Sequence, residues 1–250
     1  MDRHTPLPPS RVLLEADAVE RIRTLLAALT GMTAPASPFA LALQPFAAAL
    51  LAAMPTPAAG SVLVHEALGI ERLRALPVGR PLVVGGTRET SGGSEMLVLE
   101  ASDAGEPVAR LSARVRVAPG SLLSQPGPVR RAEGAPALSV TPTPAQLEAY
   151  AALSGDFNPI HTDLAAAHAL GLPERIVHGT LLAFLVEPAL LAAGIAAAPV
   201  RLDMRFVSPA IAGEGIDIRV AADRAPGRPR AVFTGSGGAM RCVADISMGT

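Results

Sequence analysis

The chain has no lysine, no tryptophan and a single cysteine among its 250 residues. Without a lysine amine it cannot form a Schiff base or attach pyridoxal phosphate, so enzymes that depend on either are excluded. Cys242 cannot form an internal disulfide, and no cluster with zinc-ligand spacing accompanies it. The alternating residues around Cys242 predict a thiol on a strand. Aromatic residues make up 3% of the chain, so alanine, leucine and valine must build the core.

The net charge is also small, and the hydrophobic runs are short. The net charge is -1, which argues against nucleic acid or an anionic membrane as a partner. The most apolar stretches, 39–54 and 180–198, contain Pro45 and Pro188 and predict buried helices instead of membrane spans. The polar, proline-rich start of the chain does not resemble a signal peptide. We therefore expect a soluble cytoplasmic protein with no nucleic-acid or membrane partner.

The chain repeats one order of elements, helices followed by alternating strands. In the first half, helices are predicted at 15–29 and 39–53, and strands at 61–76, 82–90, 95–101 and 107–117. The second half has an apolar helix at 180–193 and strands at 200–207, 215–222, 230–236 and 240–248. Residues 1–10, with His4, predict a flexible tail. The predicted class is α+β, with domains at 1–118 and 136–250 joined by a linker at 119–135.

The stretch 141–182 carries the candidate chemistry, and its first part predicts a capped helix. Thr143 and Gln146 are typical of a helix N-terminus with a capping box. The helix is predicted to stop at Gly155, because glycine accepts the left-handed conformation that ends helices. Asp163 is predicted to be the N-cap of a second short helix.

A carboxylate and an imidazole lie between these two helices. Asp156 and His161 are separated by Asn158-Pro159, which predicts a loop that folds His161 back toward Asp156. Such a pair can orient a water molecule, take a proton from it and return a proton to carbon. His178 and Gly179 stand at the start of a third helix, where the Gly179 N–H can donate to an oxygen that gains negative charge. An acid/base pair with an oxyanion donor suits proton chemistry next to a thioester carbonyl.

These residues resemble a known family signature. The run Tyr150-x3-Ser154-Gly155-Asp156-x-Asn158-Pro159-Ile160-His161-x-Asp163, followed by Gly171 and Ile176-Val177-His178-Gly179, is similar to that of the MaoC-like, (R)-specific enoyl-CoA hydratase family. The resemblance implies the hotdog fold, a long central helix wrapped by an antiparallel sheet. With the repeated order of elements, it implies a tandem double hotdog whose degenerate first unit contributes pocket wall.

The resemblance also implies a reaction and roles for individual residues. Asp156 and His161 would hold and activate a water, and the Gly179 N–H would polarise the thioester carbonyl. The reaction would be reversible hydration of a trans-2-enoyl-CoA to an (R)-3-hydroxyacyl-CoA, with no cofactor and no metal. Loop support or substrate contact is implied for Ser154, Asn158, His178 and Thr180, the last of which stands where the family commonly has methionine.

Several alternatives remain open at this point. An isolated Asp-x4-His pair is more often a helix stop in which aspartate and asparagine are caps, and only the complete signature favours catalysis. The same motif fits a 3-hydroxyacyl dehydratase that acts on an acyl-carrier-protein thioester. A hydrolytic thioesterase and a non-catalytic acyl-binding subunit that needs a partner are further alternatives, and the pseudo-dimeric chain leaves homodimer formation open. His65 and His168 are expected to be structural, the first on a strand and the second on a helix face.

Overall fold

The computed structural model describes residues 3–33, 38–125, 127–129, 134–195, 199–221 and 227–249. Within them the strands are β1 (Arg3–Leu13), β2 (Ser61–Arg72), β3 (Pro81–Ser91), β4 (Ser94–Asp103), β5 (Glu106–Pro119), β6 (Leu138–Val140), β7 (Pro199–Phe206), β8 (Ile216–Ala221), β9 (Arg230–Thr234) and β10 (Met240–Met248). The α-helices are α1 (Ala16–Thr30), α2 (Pro38–Leu43), α3 (Ala47–Ala53), α4 (Pro144–Ser154), α5 (Pro159–Thr162), α6 (Leu164–Ala169), α7 (Gly179–Phe184) and α8 (Val186–Ala192). The predicted α+β class is confirmed.

All strands join one antiparallel sheet in the order β1-β3-β4-β5-β2-β7-β10-β9-β8-β6. Read inward from each edge, the order is the same in both halves: β1-β3-β4-β5-β2 and β6-β8-β9-β10-β7. β2 and β7 meet as antiparallel neighbours, with Leu68 opposite Met204. The two halves therefore share one topology and one continuous sheet. The linker predicted at 119–135 falls between β5 and β6, and its residues 126 and 130–133 lie outside the described residues.

The two edge strands, β1 and β6, are the strands that the sequence pattern does not predict. The prediction of a flexible tail is wrong over residues 3–10, because β1 pairs with β3 and places His4 opposite Glu89, and residues 1 and 2 lie outside the described residues. Pro6, Pro8 and Pro9 explain the error, since proline cannot donate to a ladder and argues against a central strand. At an edge proline is tolerated, and it also blocks pairing with the strand of another chain.

Each half packs a bent, buried helical segment against the sheet. α2, a 3-10 turn at Gln44–Phe46 and α3 form the first segment, and α7 with α8 forms the second. The sequence predicts one continuous helix in each half. This prediction is wrong, because the helix is interrupted close to Pro45 in the first half and to Pro188 in the second. Proline within a helix removes an N–H donor and clashes with the carbonyl four residues earlier. The bends nevertheless keep Phe39 and Phe184 in the core, with 0% and 2% of their surface exposed.

Two polar side chains beside these prolines connect the halves. Glu187 accepts a hydrogen bond from the backbone N–H of Phe39 at 3.0 Å, and the Gln44 amide donates to the Leu153 carbonyl at 3.1 Å. Burial raises the pKa of Glu187 to about 7, against the opposing effects of the Phe39 N–H and of the Arg72 charge. A partly protonated carboxyl therefore lies in the contact between the two helical segments.

The largest group of buried apolar residues extends across both halves of the chain. Cys242 on β10 belongs to it, and burial raises the pKa of its thiol well above the ordinary value, as expected for an unreactive strand cysteine. In the part of the chain that the structure describes, no helix has the length and apolar character that a membrane crossing requires.

Candidate active site

The C-terminus of α4 fixes the candidate carboxylate. The helix ends at Gly155, whose φ of 76° is left-handed and favours glycine. Ser154 donates from its hydroxyl to the Tyr150 carbonyl at 2.9 Å, and the same hydroxyl accepts from the Asp156 N–H at 3.2 Å. Asp156 Oδ1 in turn accepts from the Asn158 N–H at 3.2 Å. Ser154 thus ties the backbone of Asp156 to the last turn of the helix.

His161 lies on a one-turn helix, α5, and not on the loop that the sequence predicts. Asn158 is the N-cap of α5, and its side-chain oxygen accepts from the Ile160 N–H at 3.3 Å. Pro159 occupies the first helical position, where the missing N–H costs nothing and the fixed φ suits a helix. Proline disfavours helical geometry in Asn158 before it, but it starts the helix that follows, which is why the loop prediction is wrong at His161.

The imidazole of His161 has a defined tautomer. Its Nδ1 is 2.8 Å from the Ile176 carbonyl oxygen, which can only accept, so Nδ1 carries the proton and Nε2 carries the lone pair of the neutral ring. Burial lowers the pKa of His161 below its ordinary value, and the nearby Asp156 charge and the Ile176 carbonyl oppose that shift. Neutral His161 therefore presents Nε2 as a free base.

His178 contacts both Asp156 and His161. Its ring stacks on His161 with centroids 3.9 Å apart, and its Nε2 donates to the Asp156 carbonyl at 3.1 Å. The edge of Tyr150 contacts the same ring at a centroid distance of 4.8 Å. Burial and the neighbouring His161 lower the pKa of His178 to about 3. A neutral ring therefore holds both the backbone of Asp156 and the plane of His161.

Gly179 and Thr180 are the first two residues of α7. Thr180 hydrogen-bonds to the side chain of Tyr150, whose pKa burial raises above the ordinary value. A Cβ atom added to Gly179 would lie 3.0 Å from Cζ of Phe206, so that ring leaves little room for a side chain at this position. The Gly179 N–H is in the first turn of the helix, where amides lack an intrahelical partner.

These groups line a cavity with two connected chambers. The inner chamber, about 50 Å³, is lined by Asp156, His161, Gly179 and Thr180 of the second half. Most of its apolar wall comes from the first half and includes Leu43, Phe46, Ala47, Leu50, Leu51 and Met54. The larger chamber, called the outer chamber, is about 660 Å³ and shares Asp156, His161 and Gly179. The candidate catalytic residues thus lie where the small chamber adjoins the large one.

Other histidines and acids of the sequence have distinct positions. Asp163 is the N-cap of α6, accepting from the Ala165 N–H at 2.8 Å, and His168 is exposed on that helix. His65 on β2 lines both chambers, which its strand pattern alone does not indicate. The signal that identifies it is spatial, since β2 and β7 meet at the junction of the halves and bring His65 against Phe206, with ring centroids 6.0 Å apart.

Asp156, His161 and His178 have ligand atoms within 4.8 Å of one another, a grouping that could attract a metal ion. The stacked rings argue against one. Imidazole lone pairs lie in the ring plane, and planes inclined by 25° with centroids 3.9 Å apart do not direct two lone pairs at a common point about 2 Å away. The arrangement fits proton transfer better than metal binding.

The sequence of this region matches a known family. Residues 127–230 match the model of the MaoC like domain. A segment of 78 residues, 30% of this chain, is 42% identical to 3-hydroxyacyl-thioester dehydratase X of Mycobacterium tuberculosis. That alignment spans 26% of the relative, so the chain covers about a quarter of its length.

Solved structures resemble the chain over nearly its whole length. HtdX of Mycobacterium tuberculosis is 26% identical, with a TM-score of 0.69 over 95% of this chain and 98% of that one. A MaoC-like dehydratase from Phytophthora capsici gives 0.64 at 16% identity, over 100% and 95% of the two chains. An acyl-ACP thioesterase from Bacteroides thetaiotaomicron gives 0.57 at 10% identity, over 97% of each, which is a likeness of fold alone. The predicted hotdog fold is confirmed, and residues 127–230, in the second half of the chain, are similar to the MaoC like domain.

Proposed function

We propose that the chain catalyses the reversible hydration of trans-2-enoyl thioesters to (R)-3-hydroxyacyl thioesters. The observation that carries the proposal is the fixed tautomer of His161, whose free Nε2 enters the same cavity as the Asp156 carboxylate and the first turn of α7. A base of this kind beside a carboxylate can activate water without a cofactor. The match to the MaoC like domain and the similarity to a 3-hydroxyacyl-thioester dehydratase support the same reaction class.

In the hydration direction, a water lies between the Asp156 carboxylate and His161 Nε2. His161 takes a proton from the water while the oxygen forms a bond to C3 of the enoyl group. The π electrons move toward the thioester carbonyl, and the resulting enolate oxygen accepts a hydrogen bond from the Gly179 N–H. The imidazolium of His161 then returns the proton to C2. Addition from one face gives a syn product, and dehydration is the reverse of these steps.

The two kinds of residue contribute differently to the rate. A positioned general base accelerates such steps by about 10²- to 10⁴-fold. One oxyanion donor contributes on the order of 3 kcal/mol of transition-state stabilisation. His178 touches neither water nor thioester in this scheme and acts through the positions of Asp156 and His161.

The shape of the cavity assigns each part of the substrate to a chamber. The apolar inner chamber of about 50 Å³ has room for a short acyl tail next to the catalytic pair. The outer chamber of about 660 Å³ is wide enough for the thioester arm that leads to the surface. Mostly apolar walls on the acyl side and a wider chamber on the other suit a substrate carried by coenzyme A or by a carrier protein.

The first test follows loss of the enoyl-thioester absorbance when purified protein is mixed with crotonyl-CoA. Wild type is expected to consume the band and to give the (R)-3-hydroxyacyl product. Asp156→Asn and His161→Ala are expected to lose at least about 10²-fold in kcat with unchanged melting temperature. His168→Ala is the matched control, because it removes an exposed histidine that does not line the cavity. Wild-type turnover that survives in Asp156→Asn would contradict the mechanism.

The same assay separates the related alternatives. The second candidate is a dehydratase that acts on a carrier-protein thioester, because the similarity to a 3-hydroxyacyl-thioester dehydratase fits either thioester carrier. It is tested by supplying the enoyl group on coenzyme A and on an acyl carrier protein in parallel. A higher kcat/KM on the carrier protein would favour dehydration in acyl-chain assembly. Release of free thiol would instead indicate a thioesterase, and activity that appears only with a homologous chain added would indicate a subunit that needs a partner.

A further inference from the structure

His65 is a polar residue of the cavity that comes from the first half of the chain. It lines both chambers together with Asp156, His161 and Gly179. Its Nε2 is buried and has no hydrogen-bond partner among the residues that the structure describes. Buried polar atoms are nearly always paired, so an unpaired nitrogen on a ring that lines a cavity points to a partner that the described residues do not supply.

The backbone around His65 directs the side chain toward the cavity. The pairing of β2 with β5 shifts register between His65 and Ala67, where the extra residue is Glu66. Bulges of this kind change the direction of a side chain and are frequent beside active sites. His65 and Glu66 both line the outer chamber, as do Leu63 and Val64 before them, so this end of β2 forms a stretch of the cavity wall.

Stacking fixes the plane of the His65 ring and relates it to the oxyanion donor. The ring lies against Phe206 with an interplanar angle of 18°, and Phe206 is the ring that packs against Cα of Gly179. His65, Phe206 and Gly179 therefore form one continuous wall. Asp156 and His161 also line this cavity, and water and C3 are bound there in the proposed reaction.

His65 is neutral at physiological pH. Burial lowers its pKa to about 4, with a further lowering from His161 and an opposing effect from Asp156. The tautomer with its proton on Nε2 would make the neutral ring a hydrogen-bond donor, and a neutral ring cannot neutralise the Asp156 carboxylate as a cation could. Such a donor suits an oxygen that becomes negative during reaction.

We propose that His65 is a further catalytic residue, whose Nε2–H donates to the thioester carbonyl oxygen as a second donor beside the Gly179 N–H. This inference rests on the proposed function. In that reaction Asp156 and His161 are occupied by the water, whereas the carbonyl oxygen has two lone pairs and only one assigned donor. His65 forms and breaks no covalent bond; it lowers the energy of the enolate. The first half of the chain then supplies part of the catalytic machinery in addition to the pocket wall.

Two substitutions distinguish the effect of the His65 N–H donor from that of the aromatic ring. His65→Phe keeps an aromatic ring for stacking on Phe206 and removes the N–H, and His65→Gln keeps an amide N–H near the position of Nε2. His65→Phe is expected to lower kcat on crotonyl-CoA by about 100-fold with KM little changed, and His65→Gln to recover on the order of 10-fold of that loss. Thermal melts of the three proteins accompany the kinetics. If His65→Phe does not fold, His65→Leu provides the same deletion.

The outcomes distinguish this inference from the function on which it rests. An active wild type, a slow His65→Phe and a partial rescue by His65→Gln support the second donor. An active wild type with His65→Phe near its rate, or with His65→Gln as slow as His65→Phe, overturns the role of His65 and leaves the proposed function intact. Wild type inactive on both coenzyme A and carrier-protein thioesters overturns both.

Discussion

The stacked histidines give the candidate site its acid/base character. His178 donates from Nε2 to the Asp156 carbonyl, so its buried Nδ1 is left as an acceptor without a partner among the described residues. A second proton on this ring would place a charge 3.9 Å from the His161 ring centroid in a desolvated position. His178 therefore stays neutral, and His161 is the ring that takes up a proton.

The pH dependence of kcat/KM follows from the state of His161. Catalysis needs the neutral ring, and burial lowers its pKa below the ordinary 6.5. The acidic limb of the profile is therefore expected below pH 6.5, with constant kcat/KM from there to neutral pH. The measurement is a pH series of initial rates at low crotonyl-CoA concentration. A limb centred above pH 6.5 would contradict the direction of the shift.

At the scale of elements, α5 is a short helix whose position depends on its cap. Asn158→Ala removes the oxygen that accepts the Ile160 N–H, and a lost N-cap costs about 1 kcal/mol. Because α5 carries His161, displacement of the base is expected to lower kcat by on the order of 10- to 100-fold. Asn158→Asp keeps an acceptor and should retain most of the activity. Steady-state kinetics with thermal melts test both, and equal losses in the two variants would exclude capping as the cause.

Element prediction from the sequence succeeded where local signals are complete. The capping box of Thr143 and Gln146 is present, with the Thr143 N–H donating to the Gln146 side chain at 2.8 Å. The sequence predicts the central strands because alternation and glycine turns are local properties of the chain. β1 could not be predicted, since its prolines are acceptable only at an edge and the edge position depends on the whole sheet.

At the scale of the molecule, the cavity could be only half predicted. Asp156, His161 and Gly179 belong to one signature, and the structure brings them to one cavity. The participation of His65 depends on the pairing of β2 with β7, between residues far apart in the chain. No pattern within β2 contains that information. The domain boundaries at 118 and 136 likewise stay predictions, because the sheet runs through both halves.

The contact between the halves should make stability depend on pH through Glu187. Its pKa rises from 4.5 to about 7 on folding, so the folded state binds the extra proton and this contribution is lost as pH rises from 4.5 through 7. The change amounts to about 3 kcal/mol. Glu187→Gln keeps an acceptor for the Phe39 N–H and does not titrate. Its advantage over wild type in free energy of unfolding should therefore grow between pH 4.5 and 7 and then level.

Denaturant titrations of wild type and Glu187→Gln across this range are the measurement. The comparison between the two proteins is essential, because the lowered pKa values of His65 and His178 act in the opposite direction in both proteins and cancel in the difference. A stability difference that stays constant with pH would show that Glu187 is not buried as a titrating group.

The second half carries the catalytic pair, and the first half supplies most of the apolar wall of the inner chamber. We therefore expect that substitutions in the first half change acyl-chain selectivity while Asp156 and His161 stay in place. Ala47 on α3 lines the inner chamber, whereas Ala48 on the same helix is exposed. Ala47→Leu fills part of a space of about 50 Å³, and Ala48→Leu adds the same atoms outside it. Because each methylene in an apolar pocket changes selectivity by about 10-fold or more, Ala47→Leu should reduce kcat/KM for hexenoyl-CoA far more than for crotonyl-CoA. Ala48→Leu should leave the ratio unchanged. Equal losses on both substrates would mean that the acyl tail does not enter the recess built by the first half.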